Sequence, residues 1–187
     1  MELEAAVQRD PSDASAWYEL GVKQQENERE QKAIQALRHS VDLDPSHLPT
    51  WVALAVSYTN DSNRTGAFDA INQWVERNAK YQDAVRNYRA EFPDDPTAAR
   101  TKRFAQLIPC LITMARSDMS GEIDADIQIA LAVLLNTNEV RPWCMYVQVK
   151  GCANRIVDHQ DYEKAQDCFR TALALRPDVS CCQSEIL

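Results

Sequence analysis

Residues 14–45, ASAWYELGVKQQENEREQKAIQALRHSVDLDP, contain the pattern that decides the fold. The pattern returns after 34 positions, in both halves of the unit. The matched pairs are Trp17 with Trp51, Leu20 with Leu54, Ala33 with Ala67, and Leu37 with Ile71. A period of this length is typical of stacked helix–turn–helix units, each of which buries its apolar face against the next. We therefore assign the matched residues to the core.

The remaining residues of the unit have roles that fit this interpretation. Gly21 is small enough for the two helices of a unit to approach closely, and Pro45 ends the second helix. Asp13 or Ser12 is placed to cap the helix that follows. The order W-x2-L-G … A-x3-[large apolar] … P resembles the tetratricopeptide repeat (TPR). The resemblance implies an all-α fold, a right-handed superhelix of helix pairs, here a fragment of about four repeats.

Composition supports a helical protein and argues against several functions. The 187 residues are 45% hydrophobic and 26% charged, with four Gly, and carry a net charge of −8. An acidic chain is a poor partner for nucleic acid phosphates. No run of 18 apolar residues predicts a membrane span. The start of the chain, MELEAAVQRDP, lacks the features of a signal peptide.

Catalytic and metal-binding patterns are also missing from the sequence. The six Cys include no CxxC pair, which argues against a zinc site. No Ser-His-Asp order, Gly-rich phosphate loop or HExxH motif occurs, so we predict that the protein is not an enzyme. We expect neither a cofactor nor a metal ion.

The rest of the chain follows the repeat less closely. Residues 81–100 are charged and contain PDDP, so we expect helix there to be broken or loop-linked. Pro109 is expected to kink or start the next helix. We predict helices over 14–26, 30–43, 48–60, 65–77, 102–116, 124–137 and 161–175. The predicted organisation begins with a partial array over 1–139. Within it we predict the end of a truncated repeat at 1–13, TPR units at 14–47 and 48–80, and a degenerate repeat or linker at 81–122. A last repeat begins at 123, and residues 161–178 form its second helix.

Residues 140–160 interrupt that last repeat. Leu131 and Ala165 are 34 positions apart, whereas the equivalent residues of the first unit are 13 apart, and the excess of 21 equals the length of the segment. The segment begins with Val, whose codons start with the usual first bases of an intron, and it ends with Gln, whose codon can supply the last bases. We interpret it as a non-native insertion from a retained intron, and 179–187 as a non-native tail. A genuine loop followed by an ordinary tail is the alternative.

Three stretches carry more information than a generic repeat. They are LEAAVQRDPSDASAWYELGVKQQENEREQKAIQALR, ALAVSYTND, and DADIQIALAVLLN with DYEKAQDCFRTALALRPD. These stretches resemble successive repeats of the receptor for the type-1 peroxisomal targeting signal, the peroxin-5 family. The resemblance excludes 140–160 and 179–187 and is weak over 82–100.

The resemblance implies a receptor module that binds the C-terminal Ser-Lys-Leu-type signal of peroxisomal matrix proteins for import into peroxisomes. It also implies a cytoplasmic protein that cycles to the peroxisomal membrane, where docking proteins are partners of the full-length receptor. In this family Asn side chains bind the peptide main chain, because an amide both donates and accepts hydrogen bonds. The family's binding positions fall on Val56, Thr59 and Asn60, with Asp61 as an acidic contact for the basic residue of the cargo and Asn136 as a further candidate.

One departure from the family limits what this chain is expected to bind. The family's other Asn clamps and its carboxylate-binding Arg lie in repeats after the one that ends at Pro177, so we expect only part of the groove here. The alternative function is a generic TPR adaptor or co-chaperone scaffold for another peptide or protein partner. An acidic-peptide binder of that class needs a Lys/Arg-rich inner face, whereas the first helices offer Glu19, Lys23, Val56 and Thr59.

Overall fold

The computed structural model describes residues 2–93, 100–117 and 124–137, together with Asp167 and Arg170. Within those residues the chain forms eight α-helices and one 3-10 turn, with no strand. The elements are α1 (Glu2–Arg9), α2 (Ala14–Glu26), α3 (Glu30–Leu43), α4 (Leu48–Asn60), α5 (Arg64–Arg77), a 3-10 turn (Ala79–Tyr81), α6 (Gln82–Glu91), α7 (Arg100–Ser117) and α8 (Ala125–Thr137). None of these helices is long and apolar enough to cross a membrane.

The helices predicted between residues 14 and 137 are confirmed to within two residues at each end. Helix α2 packs against α3, α3 against α4, and α4 against α5, which is the order of a stacked helix-pair solenoid. The predicted helix over 161–175 lies outside the described residues, except that Asp167 and Arg170 are helical and exposed. The interpretations of 140–160 and 179–187 also fall outside them and stay predictions.

The Trp side chains of the two repeats make the same hydrogen bond. Trp17 Nε1 donates to the Pro11 carbonyl at 2.9 Å, and Trp51 Nε1 donates to the Pro45 carbonyl at 2.9 Å. Both rings are half-buried against the core rather than fully inside it. Each Trp therefore ties its helix to the proline that ends the preceding one.

The turns that carry these prolines are also alike. Ser12 donates to the Asp10 carboxylate from its backbone nitrogen (3.1 Å) and its hydroxyl (2.6 Å). Ser46 does the same to Asp44, at 2.9 and 2.6 Å. The hydrogen bonds from Ser12 and Ser46 hold the pKa of Asp10 and of Asp44 below the usual value. Asp13 then caps α2, as predicted, by accepting from the backbone nitrogens of the next turn.

The helices of the first pair approach closely at Gly21. A Cβ atom at Gly21 would lie 2.6 Å from Leu37 Cγ, a distance that real contacts do not reach. Leu37 and its equivalent Ile71 are fully buried. Because the helix axes can approach only where one side chain is small, Gly21 and Leu37 act as a complementary pair.

The turn between the helices of each pair ends α2 and α4 in the same way. Glu28 and Ser62, which are 34 positions apart, both have φ of 57°. The backbone nitrogen of the next residue donates to the carbonyl five positions earlier, Arg29 to Gln24 (2.9 Å) and Asn63 to Tyr58 (2.7 Å). These bonds define a Schellman motif, in which the left-handed residue is usually Gly.

The stretch from 79 onward is more ordered than the sequence indicated. Residues 82–91 form helix α6, because Ala84 and Val85 are buried and Tyr88 packs against the core from the same side. The helix ends at Glu91 and is followed by the capping residue Phe92, just before the PDDP segment. Pro109 lies in the interior of α7, so the expectation that it starts a helix is wrong.

Helix α8 is attached to the 3-10 turn by a polar contact. The Tyr81 hydroxyl donates to Asp124 Oδ2 at 2.7 Å, and Lys80 Nζ lies 3.2 Å from the same oxygen. Asp124 Oδ1 accepts from the Asp126 backbone nitrogen at 2.9 Å and so caps α8. Burial raises the pKa of Tyr81 to about 12. Burial also raises the pKa of Asp124, but the hydrogen bonds from Tyr81 and Lys80 outweigh it and leave that pKa below its usual value.

One continuous apolar core joins α3 to α8. Helix α8 packs against α4, α5 and α7, so it lies over the second repeat rather than at a distance from it. The largest fully buried side chains in the described part of the chain include Trp74, Phe68, Leu111, Met114 and Ile127. Helix α4 is thus packed against neighbours on several sides.

Candidate functional site

The predicted binding residues lie at the C-terminal end of α4. Asn60 is the last residue of the helix and is exposed, and Asp61 is the residue that caps it. Thr59 and Asp61 are partly exposed. These three consecutive residues form one polar surface, which we call the α4 end.

Val56 does not belong to that surface. Only 8% of it is exposed, and it is part of the apolar core that α4 shares with its neighbours. The spacing of Val56, Thr59 and Asn60 predicted a shared face, but α4 packs against α3, α5 and α8. The neighbouring helices therefore bury Val56, whereas Asn60 stays exposed to solvent.

Asn60 is held by a side chain of the preceding helix. Its Nδ2 donates to Glu30 Oε1 at 2.8 Å, from the last turn of α4 to the first residue of α3. A carboxylate only accepts hydrogen bonds, so it selects the amide orientation in which Nδ2 faces Glu30. The Asn60 carbonyl oxygen and the second N–H then remain for other partners.

Asp61 and Thr59 are also engaged within the protein. Gln31 Nε2 donates to Asp61 Oδ1, again from the start of α3. The Thr59 hydroxyl donates to the Ala55 carbonyl at 2.9 Å within α4, so its proton is used and its oxygen can only accept. The α4 end therefore offers mainly acceptors, which suit N–H groups and cations.

A third contact from the preceding repeat lies beneath the α4 end. Gln25, which is 6% exposed, donates from Nε2 to the Ala53 carbonyl (2.8 Å) and to Ser57 Oγ (2.6 Å). Ser57 is fully buried. A buried amide bonded to backbone and hydroxyl holds one turn of α4 against α2.

The sequence prediction missed Gln25, Glu30 and Gln31. They contact residues of the α4 end and of α4 about 30 positions away, whereas the sequence motif relates residues within one helix. The period itself carried a signal, because in a stacked array the start of each second helix lies beside the end of the next first helix.

Asn136 occupies a comparable place in α8. It is exposed and lies in the last turn of that helix. Helix α8 packs against α4, so the two helices that carry the predicted Asn residues are neighbours. Asn136 is therefore a surface residue on a helix that neighbours α4.

The α4 end combines an amide with a carboxylate. An Asn amide next to a carboxylate can bind an extended main chain and a basic side chain. In the part of the chain that is described, no cluster of three His, Cys, Asp or Glu residues could hold a metal ion.

The sequence comparisons identify a family profile and relatives that this chain matches. Residues 14–47 match the family profile of the tetratricopeptide repeat. The chain is 32% identical over 179 residues to the peroxisomal targeting signal receptor of Yarrowia lipolytica, covering 95% of this chain and 26% of that receptor. It is 32% identical over 185 residues to the PEX5-related protein of mouse, covering 94% of this chain and 28% of that protein.

A third relative shows the same level of similarity. The targeting signal receptor of Komagataella phaffii is 31% identical over 179 residues, covering 95% of this chain and 27% of that receptor. The chain thus spans about a quarter of the length of the curated relatives it matches. It carries a tetratricopeptide-repeat solenoid and is related, over 95% of its length, to part of the peroxisomal targeting signal receptors.

Proposed function

We propose that this solenoid is a receptor module that binds the C-terminal Ser-Lys-Leu-type signal of peroxisomal matrix proteins. The observation that carries the proposal is the exposed Asn60 amide at the α4 end, with the acidic Asp61 beside it. The similarity to the targeting signal receptors supports it. In this role the protein acts by binding rather than by catalysis, in the cytoplasm and at the peroxisomal membrane, where docking proteins are its partners.

The proposed contacts follow from the geometry of the α4 end. The Asn60 carbonyl oxygen accepts from a main-chain N–H of the cargo, and its second N–H donates to a main-chain carbonyl. Asp61 gives this end negative charge, which attracts the Lys of the signal. Thr59 contributes a further acceptor, and Asn136 extends the polar surface along α8. Val56 supports the α4 end from the core.

We expect the described α4 end by itself to bind weakly. Two hydrogen bonds contribute about 0.5–1.5 kcal/mol each, whereas immobilising a flexible peptide end costs at least several kcal/mol. These contacts do not offset that cost, so the expectation for the 187-residue chain is weak binding, with a dissociation constant of about 1 mM or weaker.

Titration followed by nuclear magnetic resonance suits this range. A peptide that ends in Ser-Lys-Leu should shift the resonances of Thr59, Asn60 and Asp61, while the same peptide with a C-terminal amide tests the contribution of the carboxylate. Asn60→Ala should weaken binding markedly, so that the same shifts appear only at higher peptide concentration. The matched control is Asn27→Ala, because Asn27 is an exposed Asn at the end of α2 whose Nδ2 bonds to its own helix at the Lys23 carbonyl.

Three results would contradict the proposal. The first is that no resonance of the α4 end moves at millimolar peptide. The second is that Asn27→Ala has the same effect as Asn60→Ala. The third is that an acidic peptide binds in preference to the Ser-Lys-Leu peptide, which would favour the adaptor alternative.

A further inference from the structure

Glu30 has features that the proposed cargo contacts do not explain. Its Oε1 accepts the 2.8 Å hydrogen bond from Asn60. Its Oε2 is shielded from solvent and has no hydrogen-bond partner among the described residues. A shielded carboxylate oxygen without a hydrogen-bond donor destabilises the folded protein. We therefore expect the Glu30 carboxylate to have a role that offsets this cost.

The neighbouring contacts keep the carboxylate and the amide in register. Glu30 and Gln31 begin α3, and they bond to Asn60 and Asp61, the last residue of α4 and its cap. Gln25 holds the preceding turn of α4 from α2. Three side chains of residues 25–31 therefore determine where the end of α4 lies and which way its polar groups face.

The chemistry of the pair determines one orientation of the amide. If the Asn60 amide turned over, its carbonyl oxygen would face the Glu30 carboxylate, and two acceptors would repel each other. With Nδ2 on Glu30, the carbonyl oxygen faces away from Glu30. A neutral Gln at position 30 would not impose this choice, because its amide can present either an acceptor or a donor.

We propose that Glu30 is a positioning residue, which orients the Asn60 amide so that its oxygen is presented to a main-chain N–H of the bound peptide. The proposal rests on the proposed peptide-binding function of the α4 end and adds a residue from the preceding repeat to it. Glu30 acts through Asn60 and does not itself touch the peptide.

The first test needs no ligand. The side-chain amide resonances of Asn60 report on its hydrogen bond, and Glu30→Ala should shift them and speed their exchange with water. Glu30→Gln should broaden or split them as two orientations are populated. Unchanged Asn60 amide resonances in both variants would overturn the positioning role, whether or not any peptide binds.

The second test is a double-mutant cycle with a peptide that ends in Ser-Lys-Leu. Glu30→Ala should weaken binding roughly three- to tenfold, the range of one lost hydrogen bond. Glu30→Gln should weaken it less. Neither change should weaken binding further when Asn60 is already Ala, because positioning needs the side chain that is positioned. An equal loss in the Asn60→Ala background would overturn the proposal.

A neutral peptide separates positioning from direct charge attraction. With a peptide that ends in Ser-Ala-Leu, Glu30→Ala should cause the same fold-loss as with Ser-Lys-Leu. A loss that disappears with the neutral peptide would mean that Glu30 contacts the Lys directly, which overturns the positioning role. Absence of binding by the unchanged chain counts against the proposed function alone, since the ligand-free spectra decide the role of Glu30.

Discussion

The two complete helix pairs share their scaffold and differ at the ends of their first helices. The Trp hydrogen bond, the Asp–Ser turn and the left-handed turn residue recur at a spacing of 34. At the end of α2, however, the side chains of Glu26 and Asn27 bond to Lys23 of their own helix. At the end of α4, Asn60 and Asp61 bond back to α3. The core thus repeats, while the polar helix ends are free to take on individual contacts.

The same contrast appears in how α8 is attached. The first two pairs share scaffold contacts that recur with the period, whereas α8 combines apolar packing against α4, α5 and α7 with a polar contact from the Tyr81 hydroxyl to the Asp124 carboxylate. A repeated apolar contact tolerates variation because many atoms share the energy. A single polar contact is specific to its two residues, and it can be removed by one substitution.

The largest expected effect tests whether the two cores are equivalent. Leu37→Ala and Ile71→Ala each remove a fully buried side chain from the same position of successive repeats. Each should lower the free energy of unfolding by about 2–5 kcal/mol, the range for large-to-small changes in cores. Urea unfolding of both variants measures this loss. A cost under about 1 kcal/mol for either one would break the equivalence of the repeats.

The next effect concerns the attachment of α8. Asp124→Asn should lower the free energy of unfolding by roughly 1.5–3 kcal/mol at pH 7, because it weakens a hydrogen bond to a charged acceptor. The pKa of Asp124 is lowered in the folded protein, so its stabilisation is present above its unfolded pKa of about 3.9. That stabilisation is lost as the pH falls through the lower folded value.

The difference in stability between the original chain and Asp124→Asn should therefore shrink as the pH falls from about 5 toward 2. Equilibrium unfolding at several pH values measures it, with Asp83→Asn as a control because Asp83 is highly exposed. A difference that stays constant with pH would show that the carboxylate charge does not hold α8.

The smallest expected effect sharpens the comparison of the turns. Glu28→Gly and Ser62→Gly should each raise the free energy of unfolding by up to about 1 kcal/mol, since both residues have φ of 57° and Gly adopts this conformation without strain. Thermal melts of the two variants should show increases of similar size. A decrease in only one of them would mean that the side chain at that turn makes a contact that its counterpart lacks.

The prediction from sequence was accurate where local patterns were strong. Helices α2 to α5 were predicted within one residue of their ends, since caps, prolines and apolar spacing all act over a few residues. Helix α6 was missed because its apolar face is short, and burial of Ala84 and Val85 by α7 and its neighbours stabilises it. Pro109 was expected to kink or start a helix. It does not start one, because α7 continues on both sides of it, and the kink stays a prediction.

The predicted site residues stay a prediction, and the structure shows which of them lie at the surface. Thr59, Asn60 and Asp61 form a surface as expected, whereas Val56 is buried. Periodicity within one helix identifies residues that share a side of the helix, but it does not identify what covers that side. Here neighbouring helices cover Val56, and only the packed arrangement reveals it.

The sequence by itself determined that the chain is a helix-pair solenoid with a period of 34, because turn residues, caps and apolar spacing act locally and repeat. It also determined that Asn60 ends a first helix. Only the tertiary structure decided that Glu30, Gln31 and Gln25 hold the α4 end, and that Asp124 ties α8 to Tyr81. Those contacts join residues that are about 30 or more positions apart in the sequence. Such residues meet only when the apolar faces of successive helices are buried against each other.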